Sequence, residues 1–184
     1  MIATPVTLTG RLVRLAALNL DTDPEVMAQW TRDNEYQRFY GAEPAGLWTA
    51  KQCKEHLEHD IADFIVLAIR TLDDDRLIGT IDLGGFDWAA QVAWVGIGIG
   101  EREYWGKGYG SDAMRVMLRY AFEELNLQRV SLDVFEYNQR GISCYQKCGF
   151  KEEGRLRQML YRYDKRWDMI LMGILRSEWQ PLQG

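Results

Sequence analysis

The stretch from Val95 to Ala113, VGIGIGEREYWGKGYGSDA, limits what this chain can fold into more than any other. In its first half Val95, Ile97 and Ile99 alternate with Gly96, Gly98 and Gly100. Successive side chains of a strand point to opposite faces, so one face carries branched apolar groups and the other is bare. Glycine weakens a strand, and a row of it on one face asks for a reason. Either a helix packs closely there, or an extended ligand reaches the backbone. The second half sets Gly106, Gly108 and Gly110 around Lys107. Met114, Met117, Leu118, Ala121, Phe122 and Leu125 follow at helical spacing, which predicts an amphipathic helix with a core-facing stripe. Free N–H groups at a helix N-terminus favour an anion such as pyrophosphate, and glycines let the backbone come close to it. The glycine spacing is neither that of a P-loop nor that of a dinucleotide fingerprint.

The rest of the chain alternates short elements. Residues 11–15 read as a half-buried strand, and Asp21 to Pro24 as a helix start. Residues 36–47 carry Tyr36, Phe39 and Tyr40 among Gly and Pro and read as a loop. Such a loop either covers a pocket or packs as a satellite cluster. Thr49 and Gln52 form a capping box for a helix to about residue 62. Residues 64–69, 76–83 and 91–100 make an antiparallel meander, with Asp73, Asp74 and Asp75 as a solvated hairpin turn. A strand over 129–135, a helix over 138–147 stopped by Gly149, strands over 150–157 and 167–175, and a tail from Ser177 complete the order. This is an α+β chain with a mostly antiparallel sheet of about seven strands and about four helices. The strand–helix–strand through the glycine turn supplies one parallel pair by a right-handed crossover.

With 184 residues the chain fits one domain spanning 1–184. A formal net charge of -5 without a basic run disfavours nucleic acid as a partner. Residues 1–10 show no secretory leader and no stretch is long enough to span a membrane, so a cytoplasmic location is expected. Cys53, Cys144 and Cys148, with His56 and His59, lack the spacing of a metal site and read as reduced thiols and solvated imidazoles.

The residues also carry a family likeness. Tyr104 to Gly110, YWGKGYG, resembles the pyrophosphate signature Arg/Gln-x-x-Gly-x-Gly/Ala of the GNAT superfamily of acyl-CoA N-acyltransferases, with Trp105 where Arg or Gln is usual. It is most similar to the branch holding ribosomal-protein N-terminal acetyltransferases and spermidine acetyltransferases. Residues 11–15, Leu77-Ile78-Gly79, Asn138, Tyr145 to Phe150, Glu152 to Leu156 and Trp167-Asp168 fall in the expected order, so the likeness covers nearly the whole chain.

The resemblance implies a GNAT-like sheet splayed at its parallel pair. It implies acetyl-CoA as acyl donor, no metal, and a primary amine as acceptor, on a small molecule or a peptide N-terminus. It implies pantetheine along Ile97, Gly98 and Ile99, with a backbone N–H polarising the thioester carbonyl. The pyrophosphate would sit over Trp105, Gly106, Lys107, Gly108, Tyr109, Gly110 and Ser111. Asn138 would hold the pantetheine side, and Tyr145 would protonate the departing thiolate. A phenol, with an ordinary pKa of about 10 against about 8.5 for a thiol, is suited to that task. Relatives are expected as monomers or homodimers. The chain departs from the pattern at Trp94, where related members often carry a glutamate. Asp82, Asp133, Glu136 and Asp168 then stand as unranked candidates for the base. A CoA-binding sensor or interaction module without catalysis is the alternative that Trp94 suggests.

Overall fold

The computed structural model describes residues 8–180. The leader reading of residues 1–10 and the end of the tail therefore lie largely or partly outside the described residues. One seven-stranded sheet runs in the order β1-β2-β3-β4-β5-β7-β6. Its strands are β1 (Val13–Ala16), β2 (Ile65–Thr71), β3 (Leu77–Asp87), β4 (Val92–Ile99), β5 (Arg129–Phe135), β6 (Lys151–Arg162) and β7 (Lys165–Leu175). Every neighbouring pair is antiparallel except β4 and β5. The helices are α1 (Asp23–Trp30), α2 (Asn34–Tyr40), α3 (Ala50–Asp63), α4 (Tyr109–Arg119) and α5 (Gln139–Lys147). The described residues thus hold five α-helices, in keeping with the expectation of about four.

The additional helix is α2, in the segment read as a loop. Tyr36, Phe39 and Tyr40 are spaced i, i+3 and i+4, which is one helical face. Asp33 starts the helix by accepting hydrogen bonds from the amides of Glu35 at 2.9 Å and Tyr36 at 3.1 Å. The expected tail also turns back on the fold, since Trp179 packs against Phe122 with ring centroids 5.4 Å apart. Strand β6 runs on to Arg162 through an irregularity between Leu156 and Leu160. There the Gln158 amide donates to Asp168 Oδ1 at 2.9 Å.

The parallel pairing is short. Val92, Ala93 and Trp94 pair with Arg129, Val130 and Ser131, and no ladder joins residues 95–99 to residues 132–135. The sheet is splayed open along that edge. Behind it, α4 presents Met114, Met117, Leu118 and Phe122 of the following turn, all fully buried with Ile78, Ile81 and Leu132. Each such side chain contributes about 1.5–3 kcal/mol on burial.

The N-terminus of α4 is tied to β1 by Asp112. Its buried carboxylate accepts from the amides of Arg11 at 3.1 Å, Leu12 at 2.8 Å and Val13 at 3.1 Å. Removing it leaves those amides without their charged acceptor. Asp112→Ala is expected to cost about 3 kcal/mol in urea unfolding, since bonds to charged groups are the strong ones. A loss below about 1 kcal/mol would show that the tie is dispensable.

Candidate active site

Gly100 donates its amide to the carbonyl of Ile78 at 2.9 Å. In a regular antiparallel ladder the direction of the amides alternates. The amides of Gly98 and Gly96 therefore face β3, and those of Ile97 and Ile99 face the open side toward β5. The bare face of β4 is not left to a ligand. A Cβ on Gly100 would overlap the Trp30 ring, and one on Gly98 would lie 2.7 Å from Tyr40 and 2.8 Å from Tyr36. Those glycines admit α1 and α2 closely, and the open space is the strand's edge.

That edge leads into a groove lined by Ile97, Gly98, Ile99, Trp105, Gly106, Gly108, Gly110 and Ser111 on one side. Asn138, Arg140, Cys144 and Tyr145 of the α5 segment line the other. At its outer end the chain turns through Gly106 (φ +73°) and Gly108 (φ +93°) into α4. No side chain caps the α4 N-terminus. Left-handed φ values at both positions need glycine, and nothing stands within 4 Å of where a Gly106 Cβ would be. The result is an open cradle of backbone N–H groups, the donor set that fits a phosphate anion. Lys107 stands exposed outside the groove's lining, and Tyr109 packs edge-on against Tyr104 at 4.8 Å instead of lining it.

Trp105 is locked in place. Its indole N–H donates to the Ile99 carbonyl at 2.6 Å. Its ring lies under the guanidinium of Arg140 at 3.8 Å, and Arg102 lies at 4.9 Å. Arg140 brings a cation to the groove that the sequence reading missed. It lies on α5, more than thirty residues from Trp105, and nothing local signals the pairing. Asn138 Oδ1 accepts from the Gly141 amide at 2.9 Å and so caps α5.

Tyr145 is buried where this groove meets a second cavity, lined by Tyr40, Gly41, Ala42, Val95, Gly96, Ile97, Asp133, Phe135 and Met169. Burial, then the charges of Cys144 and Asp133, hold its phenol above the ordinary tyrosine range. It is therefore protonated at neutral pH. Cys144 faces the groove, with its sulfur 3.2 Å from Ser111 Oγ. Cys148 beside it, and then the Ser111 hydroxyl, lower its thiol, while Cys144 and burial push the Cys148 thiol up.

The four carboxylates considered as bases divide. Glu136 accepts from the Asp168 amide at 2.8 Å, and Asp168 holds the Gln158 amide, so both are engaged in the β6–β7 hairpin region. Asp133 lines the second cavity and is raised by burial. Asp82 lies beside Gly96 and is pushed up to about 6, by burial first and then by the charge of Asp60. Among the described residues no cluster of His, Cys, Asp and Glu could hold a metal ion, and no helix is long and apolar enough to cross a membrane.

The wall of the second cavity is held from afar. Arg162 on β6 donates to the carbonyls of Arg38 at 2.7 Å, Gly41 at 3.3 Å, Ala42 at 3.1 Å and Glu43 at 3.2 Å, and to Tyr137 Oη at 2.7 Å. The Tyr137 hydroxyl itself donates to the Arg38 carbonyl. Replacing Arg162 by Ala is expected to raise amide exchange across residues 41–43 at least about tenfold, as expected for a locally loosened segment. Exchange unchanged from wild type would mean that the loop is held by other contacts.

The chain is similar to known proteins in sequence and in fold. The acetyltransferase (GNAT) domain family matches residues 13–151. YdaF of Bacillus subtilis, whose name gives it provisionally as a ribosomal N-acetyltransferase, is 34% identical over 119 residues, covering 65% of this chain and 64% of its own length. The chain thus spans just under two thirds of that relative. The spermidine N(1)-acetyltransferase of Vibrio cholerae is 28% identical over 163 residues, covering 88% of this chain and 86% of its own. A crystal structure of spermidine N-acetyltransferase from Vibrio cholerae, in complex with CoA and spermine, superposes with a TM-score of 0.79 over 90% of this chain and 96% of that one, at 24% identity. That likeness is one of fold.

Proposed function

The chain belongs to the GNAT acetyltransferase family, and we propose that it transfers an acetyl group from acetyl-CoA to a primary amine by direct attack in a ternary complex. The observation that carries this is the splayed edge of β4, with an uncapped glycine cradle at its outer end and Tyr145 at its inner end. The residues fit the donor. Acetyl-CoA supplies an activated thioester when bound, and the chain supplies the positions. The α4 N-terminus and the Gly106–Ser111 backbone hold the pyrophosphate, with Arg140 adding a cation beside Trp105. The Ile97 and Ile99 amides are directed toward pantetheine and the thioester carbonyl, where one fixed donor is worth several kcal/mol as charge develops. With its oxygen committed to the α5 cap, Asn138 offers its amide nitrogen to the pantetheine side.

Tyr145 sits between the donor groove and the second cavity, where an amine approaches. Its raised pKa keeps a proton available for the sulfur as the carbon–sulfur bond breaks. The acceptor is a small amine or a peptide N-terminus; the names of the two relatives point to a ribosomal substrate for one and to spermidine for the other.

Calorimetry with acetyl-CoA, followed by CoA release with spermidine and with a peptide bearing a free N-terminus, tests the proposal. Acetyl-CoA binding and release driven by one amine are expected. Binding without turnover on either would favour a sensor, the role suggested by Trp94; no binding would end the proposal. Tyr145→Phe is expected to lower kcat about a hundredfold with acetyl-CoA affinity within about twofold of wild type. An unchanged kcat would remove Tyr145 from the acid role.

A further inference from the structure

An alkylamine is protonated at neutral pH, and only the neutral nitrogen attacks a carbonyl, so the site must take a proton. Strand β4 offers no acceptor on the face toward α2, where its residues are Trp94, Gly96 and Gly98, with Gly100 just past its end. The neighbouring strand does. Asp82 of β3 stands directly opposite Gly96. A Cβ on Gly96 would lie 2.7 Å and 3.0 Å from its two carboxylate oxygens, so the carboxylate fills the space that any β4 side chain there would need. Gly96 in turn lines the cavity that Tyr145 shares.

We propose that Asp82 is the catalytic proton acceptor for the amine, working from the β3 side of the cleft while Tyr145 works from α5. This rests on the acetyl-transfer reading above. Asp82 is half-buried beside Gly96, whose backbone lines the cavity, whereas Glu136 and Asp168 are engaged in the β6–β7 region. Asp133 is more exposed, and its charge acts on Tyr145, so it lies on the side where a proton is given. The charged and titratable groups facing Asp82 are Tyr40 of α2 and Asp60 of α3, with the Gly96 amide drawing the other way. Burial and Asp60 set its carboxyl at about 6, so it is ionised at pH 7 and still a competent base.

The protons balance. The ammonium gives one proton to Asp82, which passes it to solvent. The nitrogen bonds to the acetyl carbon, the carbon–sulfur bond breaks, and sulfur takes the Tyr145 proton. The nitrogen's second proton reloads Tyr145 through water. One proton is released per turnover.

The test is the pH dependence of kcat/KM for the amine of the spermidine and peptide pair that turns over, in wild type, Asp82→Asn and Asp133→Asn, with acetyl-CoA binding measured on each. For wild type an acid limb near pH 6 is expected. Asp82→Asn is expected to lower kcat/KM about a hundredfold at pH 7, with acetyl-CoA affinity kept and the limb replaced by a steady rise toward the amine's own pKa. The deficit should shrink at least about tenfold at pH 9, where more of the amine is neutral without help. A limb that survives in Asp82→Asn, or that disappears in Asp133→Asn instead, overturns the assignment. Wild type without turnover on either amine overturns the acetyl-transfer reading itself. If Asp82→Asn fails to fold, Asp82→Glu replaces it; a limb unmoved there, with full activity retained, contradicts a carboxylate fitted to the space beside Gly96.

Discussion

The structure depends on β4 and β5 parting company after three paired residues. A strand inside a fold normally satisfies its backbone on both edges, and leaving groups unpaired costs free energy. Here one edge of residues 95–99 is left open where the sheet divides. The cost is met partly within the chain, because the Trp105 indole takes the Ile99 carbonyl. The remaining groups face a groove that side chains do not fill. An edge of this kind is a ready partner for an extended amide-bearing ligand, which can add to it as another strand would.

Everything around the split keeps it open and shaped. Helix α4 and its buried methionines anchor β3 and β4 from one side, and Asp112 ties its N-terminus to β1. From the other side α1 and α2 press Trp30, Tyr36 and Tyr40 onto the glycines of β4. Those glycines allow close helix packing, and this packing in turn builds the wall where donor and acceptor would meet. Arg162 reaches across from β6 to fix the segment after α2. The wall proposed for the acceptor is thus assembled from elements at opposite ends of the chain. The β4 and α4 side of the groove proposed for the donor is nearly continuous, from Val95 to Ser111.

That division explains what could be read in advance. The meander, α4, β5 and α5 were legible because their periodicity is local and strong. The cradle was legible because three glycines before a helix have few other uses. Helix α2 was missed because its one apolar face, Tyr36, Phe39 and Tyr40, spans little more than a turn and is followed at once by Gly41 and Pro44. The extension of β6 was missed because the bend at Gln158 is held by Asp168 from the paired strand. Arg140 and Arg162 were invisible for the same reason, as each acts on a segment far away in sequence. Asp82 was visible only as a candidate. Its standing comes from the register that puts it opposite Gly96, and register between strands is a property of the folded sheet.

The most direct test of the split sheet as the cofactor's seat is a backbone amide NMR titration with CoA. The amides of Ile97, Ile99 and residues 106–111 are expected to move most, together with Arg140 and Gly141 at the start of α5. Amides of β1, β2 and the β6–β7 turn should stay near their free positions. Shifts concentrated away from the β4–β5 opening, or none at saturating CoA, would contradict the account.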